Sequence, residues 1–309
     1  MSVIHHVTAI SGAAQRNLDF YVRTLGLRFV KKTVNFDDPG THHLYYGDEA
    51  GRPGTILTFF PWDHAAPGRR GTGLTDETRF RVPAGSLDFW ARRFAERDIA
   101  HAPVVERFGE TVLTLADPDG MALALVGVTG AADEPAWARD DIPADHAVRG
   151  FHGVTLALDQ ADPTGAVLND VFGLAETARE GGLIRFASDT TPGGIVDIKA
   201  TPRGARGGMG RGSVHHVAFR AADDAEQEAM ARKLAANHRL QVTEQKDRNY
   251  FRSIYFREPG GVIFEIATDD PGFTADEPLA TLGEALKLPR FLEPRRAELE
   301  RILPVLETV

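Results

Sequence analysis

The chain has 309 residues, of which 42% are hydrophobic and 26% charged, and its formal net charge is −9. This acidic balance, without a long run of lysine or arginine, predicts no nucleic-acid or membrane partner, because both need a basic surface. Cysteine is absent, which excludes disulfides, thiolate metal sites and a cysteine nucleophile, so a metal would need His, Asp or Glu ligands.

The first sixty residues predict one β-α-β-β-β module. A strand at 3–10 begins it, and a helix follows that ends at Gly26. The apolar residues of this helix recur at the spacing of one helical face, namely Leu18, Tyr21, Val22 and Leu25. Three strand-like runs complete the module: "RFVKKTVNF", "HHLYYGD" and "TILTFFPW".

The same order of elements recurs three times along the chain. The second module covers roughly 74–128, the third 150–200 and the fourth 213–268. Their helices are predicted in "SLDFWARRFAERD", "PTGAVLNDVFGL" and "AEQEAMARKLAANH". Each signal is weak alone, but four repeats in one order predict a protein built from four modules.

A polar stretch between modules two and three, "GAADEPAWARDDIPADHAVR", predicts a domain boundary. The predicted domains are 1–140, with modules one and two, and 141–268, with modules three and four. The remaining tail, 269–309, ends in a short helical pattern and is expected to pack on the body; a lid over a pocket is the alternative. Without a signal peptide or a membrane-spanning apolar run, the sequence predicts a cytoplasmic protein.

Two adjacent histidines begin the first strand of modules one and four, at 5–6 and 215–216. Side chains alternate between the faces of a strand. His215 shares a face with Val217, the face expected to pack on a helix, whereas His216 shares the other with Ala218. Alternation therefore predicts that the second histidine of each pair faces a cavity. The first histidine should face away from that cavity.

Glu265 lies in the strongly apolar strand "GGVIFEIAT", between Phe264 and Ile266. Burying a carboxylate is costly unless it is paired or bound to a metal, and the alternative is that Glu265 is simply exposed. By register, His6 is the counterpart of His216. Two histidines and one carboxylate form the ligand set that leaves open coordination positions on non-haem Fe(II).

The corresponding positions of the other modules predict that this site occurs once. Module three has Gly153 in place of the second histidine, although His152 matches the first, and module two has no histidine in its first strand. Thr58 and Asp197 stand where modules one and three would carry the glutamate. Only modules one and four together supply a complete set, with three protein ligands.

Several stretches, in this order and spacing, carry a resemblance to a known family: "HHVTAI", "GLRFVKKTVNFDD", "HHVAF" and "DRNYFRSIYFREPGGVIFE". The chain resembles the vicinal oxygen chelate superfamily over nearly its whole length, and within it the bacterial dioxygenases that open para-hydroquinone rings. This resemblance implies an α+β fold. Its four βαβββ modules would form two vicinal-oxygen-chelate domains, with cupped mixed β-sheets and the helices outside.

The resemblance also implies a metal centre and three catalytic residues near the substrate. The implied metal ligands are His6, His216 and Glu265, with Fe(II) as the cofactor and Mn(II) as the alternative. The implied catalytic residues are Tyr255, Arg248 and His5. From the residues alone, Arg248 could be an ordinary surface arginine and Tyr255 a core tyrosine. Alternation turns His5 away from the metal unless pairing is irregular at the start of its strand.

The implied function is a non-haem Fe(II)-dependent dioxygenase that inserts O2 into a hydroquinone-type aromatic and opens its ring. Its partners would be a small aromatic substrate and O2, and a homo-oligomer is possible. The first alternative is a catechol extradiol dioxygenase or another glyoxalase-like metalloenzyme. A second is a protein that binds an aromatic compound or drug and confers resistance, which would need no iron.

Overall fold

A computed structural model describes residues 3–307. One of its two sheets combines modules one and four in eight strands. In spatial order these are β14 (Lys246–Asp247), β15 (Arg252–Arg257), β16 (Ile263–Thr268), β13 (Ser213–Ala221), β1 (Ile4–Ser11), β4 (Ile56–Pro61), β3 (Asp38–Gly47) and β2 (Arg28–Asn35). We call this the outer-module sheet.

The other sheet combines modules two and three, also in eight strands. In spatial order these are β10 (Ala175–Glu180), β11 (Leu183–Ala187), β12 (Ile195–Ala200), β9 (Phe151–Leu158), β5 (Leu74–Pro83), β8 (Ala122–Val128), β7 (Glu110–Ala116) and β6 (Val105–Arg107). We call this the inner-module sheet. The four-module α+β architecture predicted from the repeats is therefore confirmed.

Each module contributes one helix between its first and second strands, and the tail adds another. The helices are α1 (Ala14–Asp19), α2 (Leu87–Glu96), α3 (Asp162–Phe172), α4 (Asp224–His238) and α5 (Arg296–Ile302). The first continues as a π-helical turn, Phe20–Thr24, before Gly26 adopts a positive φ of 72° and ends it. None of the helices within 3–307 is both long and apolar enough to cross a membrane.

The first strands of two modules pair at the centre of each sheet. In the outer-module sheet β1 runs antiparallel to β13, and in the inner-module sheet β5 runs antiparallel to β9. Each sheet thus takes strands from both sides of residue 140, where the sequence predicted a domain boundary. That boundary stays a prediction, while the pairing brings the first and fourth modules together as the histidine pattern required.

One continuous hydrophobic core joins the two sheets and their helices. It includes Phe59 of the outer-module sheet, Phe80 of the inner-module sheet and Trp90 of α2, all completely buried. The ring of Phe172, at the end of α3, stacks on Phe219 of β13 at 4.0 Å between centroids. The helix of module three thus supports the sheet that contains the histidine pairs.

The tail packs along β2 and β3. Leu292 and Leu299 are buried with Val34 of β2. The fully buried ammonium group of Lys31 lies 2.6 Å from an oxygen of Asp276 and 2.5 Å from one of Glu277. Because a buried charge needs such partners, these two carboxylates fix the start of the tail against the sheet.

Candidate metal centre and its cavity

Both histidine pairs begin at a β-bulge. In the pairing of β1 with β13, His5 is the extra residue of one strand and His215 the extra residue of the other. A bulge places two residues opposite one and so interrupts alternation. The prediction that the first histidine of each pair faces away from the cavity is therefore wrong for His215, which lines the cavity together with His216. The two Nδ1 atoms lie 2.9 Å apart between His5 and His6, and 2.8 Å apart between His215 and His216.

The second histidines converge on Glu265, which is fully buried. Its Oε2 lies 2.9 Å from Nε2 of His216 and 3.3 Å from Nε2 of His6, and the two nitrogens are 3.4 Å apart. Three ligand atoms at about 2.1 Å from one ion and roughly 90° apart would be about 3.0 Å from one another. The triangle therefore has the size of one face of a metal coordination sphere.

The first histidine of each pair can accept a hydrogen bond from the second. Burial, and then the charge of the neighbouring histidine, lowers the pKa of His5 and of His215 to about 3, so both are neutral at physiological pH. When Nδ1 of His6 or His216 carries the proton, it donates to Nδ1 of its neighbour, and its Nε2 keeps a lone pair for an ion.

The carboxylate of Glu265 is held ready for the same purpose. Burial acts to raise its pKa, but His6 and His216 hold the pKa well below its usual range, so it is ionised. Its Oε1 accepts a hydrogen bond of 2.5 Å from the Ser253 hydroxyl. Oε2 has no hydrogen-bond donor of good geometry among residues 3–307. Three lone-pair atoms that face one another in a buried space fit a bound cation.

These three residues form one end of a cavity of about 500 Å³. Six aromatic side chains line it, namely Phe36, Tyr45, Phe60, Trp62, Phe251 and Tyr255. His215 lines the cavity as well. His5 is not among its lining residues within the described chain, and instead contacts the rings of His6 and Phe251. His5 thus lies where it can orient the ring of His6.

Arg248 and Tyr255 lie together in the cavity wall. Arg248 Nε donates to the Tyr255 hydroxyl at 3.1 Å, and its Nη2 donates to Asp37 at 3.0 Å. Burial, and then the negative charge of Glu265, raises the pKa of Tyr255 above its ordinary value. Tyr255 therefore keeps its proton, and because its oxygen already accepts from Arg248, that proton is available to a ligand.

Sequence reasoning missed a third histidine pair, at 42–43. His43 lines the cavity, where its Nδ1 lies 2.9 Å from the Tyr45 hydroxyl and its Nε2 lies 2.8 Å from Oγ1 of Thr58. His42 faces the tail, 2.9 Å from the carbonyl of Pro304. The doublet "HH" in β3 was a usable signal, since adjacent residues of a regular strand point to opposite faces.

The inner-module sheet contains an arginine at the comparable place. Asp197 pairs with Thr155 as Glu265 pairs with Ala218, and Nη2 of the fully buried Arg79 lies 3.0 Å from it. Gly153 stands where the second histidine would be, and a Cβ there would lie 2.1 Å from the Ile195 carbonyl. This sheet therefore has a guanidinium in place of a metal ligand set.

A larger cavity of about 850 Å³ opens on the inner-module sheet. Its charged side chains pair with one another, as Arg107 does with Glu77 at 2.6 Å and Arg70 with Asp76 at 2.6 Å. It lacks converging ligand atoms among the described residues. The smaller, aromatic cavity is therefore the candidate site in spite of its size.

Glu110 of the inner-module sheet pairs with two basic side chains, and we expect these contacts to stabilise the fold in a pH-dependent way. Its two oxygens lie 2.9 Å from His152 Nε2 and 2.7 Å from Arg185 Nη1. Burial acts to raise the pKa of Glu110, but these partners lower it from 4.5 to about 2. Since the pKa is lower in the folded chain, the carboxylate stabilises the fold above pH 4.5, and this contribution is lost as the pH falls towards 2.

We expect Glu110→Gln to lower the free energy of unfolding by about 1–3 kcal/mol at pH 7. Urea titrations at several pH values should show the difference from the wild type narrowing below pH 4.5. Glu106→Gln, at an exposed position of β6, is the matched control and should leave stability unchanged. A difference that stays constant down to pH 3 would contradict the assignment.

The comparisons with known proteins agree with this architecture. A family model described as "Glyoxalase/Bleomycin resistance protein/Dioxygenase superfamily" matches residues 3–125 and 145–266. MhqO of Bacillus subtilis (strain 168), provisionally named a ring-cleaving dioxygenase, is 46% identical over 302 residues, which cover 97% of this chain and 96% of MhqO. The chlorohydroquinone/hydroquinone 1,2-dioxygenase of Sphingobium indicum is 34% identical over 308 residues, 97% of this chain and 95% of that enzyme.

The fold of this chain is also similar to that of a known crystal structure. It belongs to a provisionally named dioxygenase from Bacillus subtilis subsp. subtilis str. 168 and is 46% identical. Its TM-score is 0.94, and the match covers 99% of this chain and 98% of that one. The chain therefore belongs to the glyoxalase/bleomycin resistance protein/dioxygenase superfamily, and within it to the ring-cleaving dioxygenases.

Proposed function

We propose that this protein is an Fe(II)-dependent dioxygenase that opens the ring of a hydroquinone-type aromatic. The observation that carries the proposal is the convergence of His6, His216 and Glu265 at the end of an aromatic-walled cavity. Three protein ligands leave open positions on a metal ion. The name of the Sphingobium relative supports hydroquinone as the substrate class.

A bound Fe(II) would lower the pKa of a substrate hydroxyl and would let electrons pass from the substrate ring to O2. The Nδ1 atoms of His5 and His215 accept hydrogen bonds from Nδ1–H of His6 and His216, which leaves both Nε2 atoms of the ligand histidines unprotonated. Ser253 holds Oε1 of Glu265, so that the other oxygen remains directed at the ion.

The cavity wall positions the substrate. The flat aromatic side chains match the faces of a substrate ring and exclude water from it. Arg248 stabilises negative charge that develops on a substrate oxygen. Tyr255, kept protonated by burial, donates a hydrogen bond and can deliver a proton as the ring opens.

Tyr255→Phe should lower kcat by about 100-fold or more and leave the metal content unchanged. The change removes one hydroxyl and its proton but retains the ring in the wall. Oxygen uptake with hydroquinone and metal analysis of the same preparations measure the two effects. Tyr46→Phe is the control, because that hydroxyl bonds to Asn17 and Tyr46 does not line the cavity. Full activity of Tyr255→Phe would remove Tyr255 from the chemistry.

The proposal as a whole is tested by anaerobic reconstitution with Fe(II) or Mn(II). The loaded protein is then given hydroquinone or catechol in an oxygen electrode, and the products are analysed by mass spectrometry. We expect one O2 consumed per hydroquinone and an open-chain product that contains both oxygen atoms. Preference for catechol would overturn the substrate class, and uptake with Mn(II) alone would overturn the choice of iron.

A further inference from the structure

An ion pair crosses the mouth of the aromatic cavity. Asp37 lies in the turn between β2 and β3 of module one, and Arg248 follows β14 of module four. Arg248 Nη2 donates to Oδ2 of Asp37 at 3.0 Å, and both residues line the cavity. The side chain of Asp37 is 67% exposed, whereas that of Arg248 is only 18% exposed.

We propose that Asp37 determines which aromatic compounds enter, and that it acts through Arg248. By engaging the guanidinium, Asp37 would disfavour ligands that carry a carboxylate relative to ligands that carry only hydroxyl groups. Asp37 would touch neither metal nor reacting atoms, so it is a selectivity residue and not a catalytic one. The inference deepens the proposed function, on which it rests for the class of ligand.

The geometry explains why Arg248 is sensitive to this partner. Among the described residues its side chain donates to two groups, the neutral hydroxyl of Tyr255 and the carboxylate of Asp37. Asp37 is therefore the group that balances its charge. An ion pair with so exposed a partner is weak and reversible, so a ligand oxygen can compete for the guanidinium.

The competition depends on the charge of the ligand. An aromatic carboxylate that binds Arg248 lies beside the negative charge of Asp37, which repels it or must move away. A neutral hydroxyl suffers no such repulsion and can share the guanidinium. The other cation of the lining, Lys246, has Glu244 at 3.9 Å. Both cationic side chains of the lining therefore have an acidic neighbour.

Asp38 provides a matched comparison at the same mouth. It also lines the cavity, but its Oδ2 accepts from Trp62 Nε1 at 3.1 Å and from Thr41 Oγ1 at 2.9 Å. It forms no ion pair with Arg248. Two adjacent carboxylates thus differ in the one contact on which the proposal depends.

The test is calorimetric titration of the Fe(II)-loaded protein under argon, with 4-hydroxybenzoate and with 4-hydroxybenzyl alcohol. Asp37→Asn should lower the Kd of the carboxylate ligand about five- to tenfold and change that of the alcohol less than twofold. Asp37→Glu keeps the carboxylate and should therefore keep the wild-type ratio of the two Kd values, that of the carboxylate ligand to that of the alcohol. Asp38→Asn should change the ratio less than twofold, and Asp37→Asn should have no effect in an Arg248→Met background.

Three results would each overturn the proposal. Asp37→Asn could raise the affinity for both ligands equally, it could leave the affinity for the carboxylate ligand unchanged, or Asp38→Asn could raise that affinity as much as Asp37→Asn does. Binding is measured without turnover, so its outcome is separate from that of the proposed function. If Asp37→Asn lowers the Kd of the carboxylate ligand but the wild-type protein takes up no O2 with hydroquinone, only the proposed function is overturned. A protein that cleaves hydroquinone without this change in Kd would overturn only the role of Asp37.

Discussion

Glu265→Gln is expected to remove the metal and with it O2 uptake, while the fold remains intact. Glutamine keeps the volume of the side chain and an oxygen for the Ser253 hydroxyl. It lacks the negative charge that would complete a site with His6 and His216. Loss of a partner outside the coordination sphere already weakens metal binding by about 10–100-fold, so loss of a ligand should exceed about 100-fold.

Two measurements check this result. Metal analysis should find one Fe(II) per wild-type chain and almost none in the variant. Melting temperatures should rise with added Fe(II) only for the wild type, because a ligand that binds the folded state stabilises it. Glu258→Gln is the control, since Glu258 is as deeply buried but bonds to Thr164 and to backbone amides. Full metal content in Glu265→Gln would contradict the ligand assignment.

Arg79→Met is expected to lower the free energy of unfolding by about 3–5 kcal/mol, more than Glu110→Gln does. The guanidinium of Arg79 is buried beside Asp197, Thr155 and His152. Its removal leaves the second oxygen of a buried carboxylate to one remaining arginine, Arg185. Breaking such a buried pair costs far more than breaking an exposed one.

Urea unfolding followed by circular dichroism measures this loss. Arg70→Met is the matched control, because Arg70 pairs with Asp76 but is 68% exposed, and it should cost less than about 1 kcal/mol. The metal content of folded Arg79→Met should equal that of the wild type, since the residue lies in the sheet without the metal centre. If Arg79→Met lowers the free energy of unfolding by less than about 1 kcal/mol, the buried contacts of Arg79 with Asp197 do not stabilise the fold as we expect.

The sequence predicted most of the architecture because the inner strands carry strong apolar patterns. The strands that it missed, β6, β10 and β14, lie at sheet edges and are almost entirely exposed. An edge strand with two solvated faces has no alternation to detect. The repeats could therefore predict the number of modules, but not the full width of each sheet.

The site shows the same limit at a finer scale. Register and chemistry were enough to bring His6, His216 and Glu265 together, since each of the three is a paired residue of its strand even though a bulge precedes both histidines. Alternation failed at His215 because a bulge inserts one residue and has no signature in this sequence. The position of an inserted residue is set by pairing between strands that are distant in the chain.

The order in which the modules join has a consequence for synthesis on the ribosome. The inner-module sheet is contiguous in the chain, so it can form as soon as residue 200 has emerged. His6 and His216 are 210 positions apart, a delay of about 10–40 s at typical rates of translation. During this interval β1 has no partner along one edge, which is a hazard for aggregation. A chain that ends before β16 lacks Glu265 and so cannot complete the candidate metal centre, however well its middle has folded.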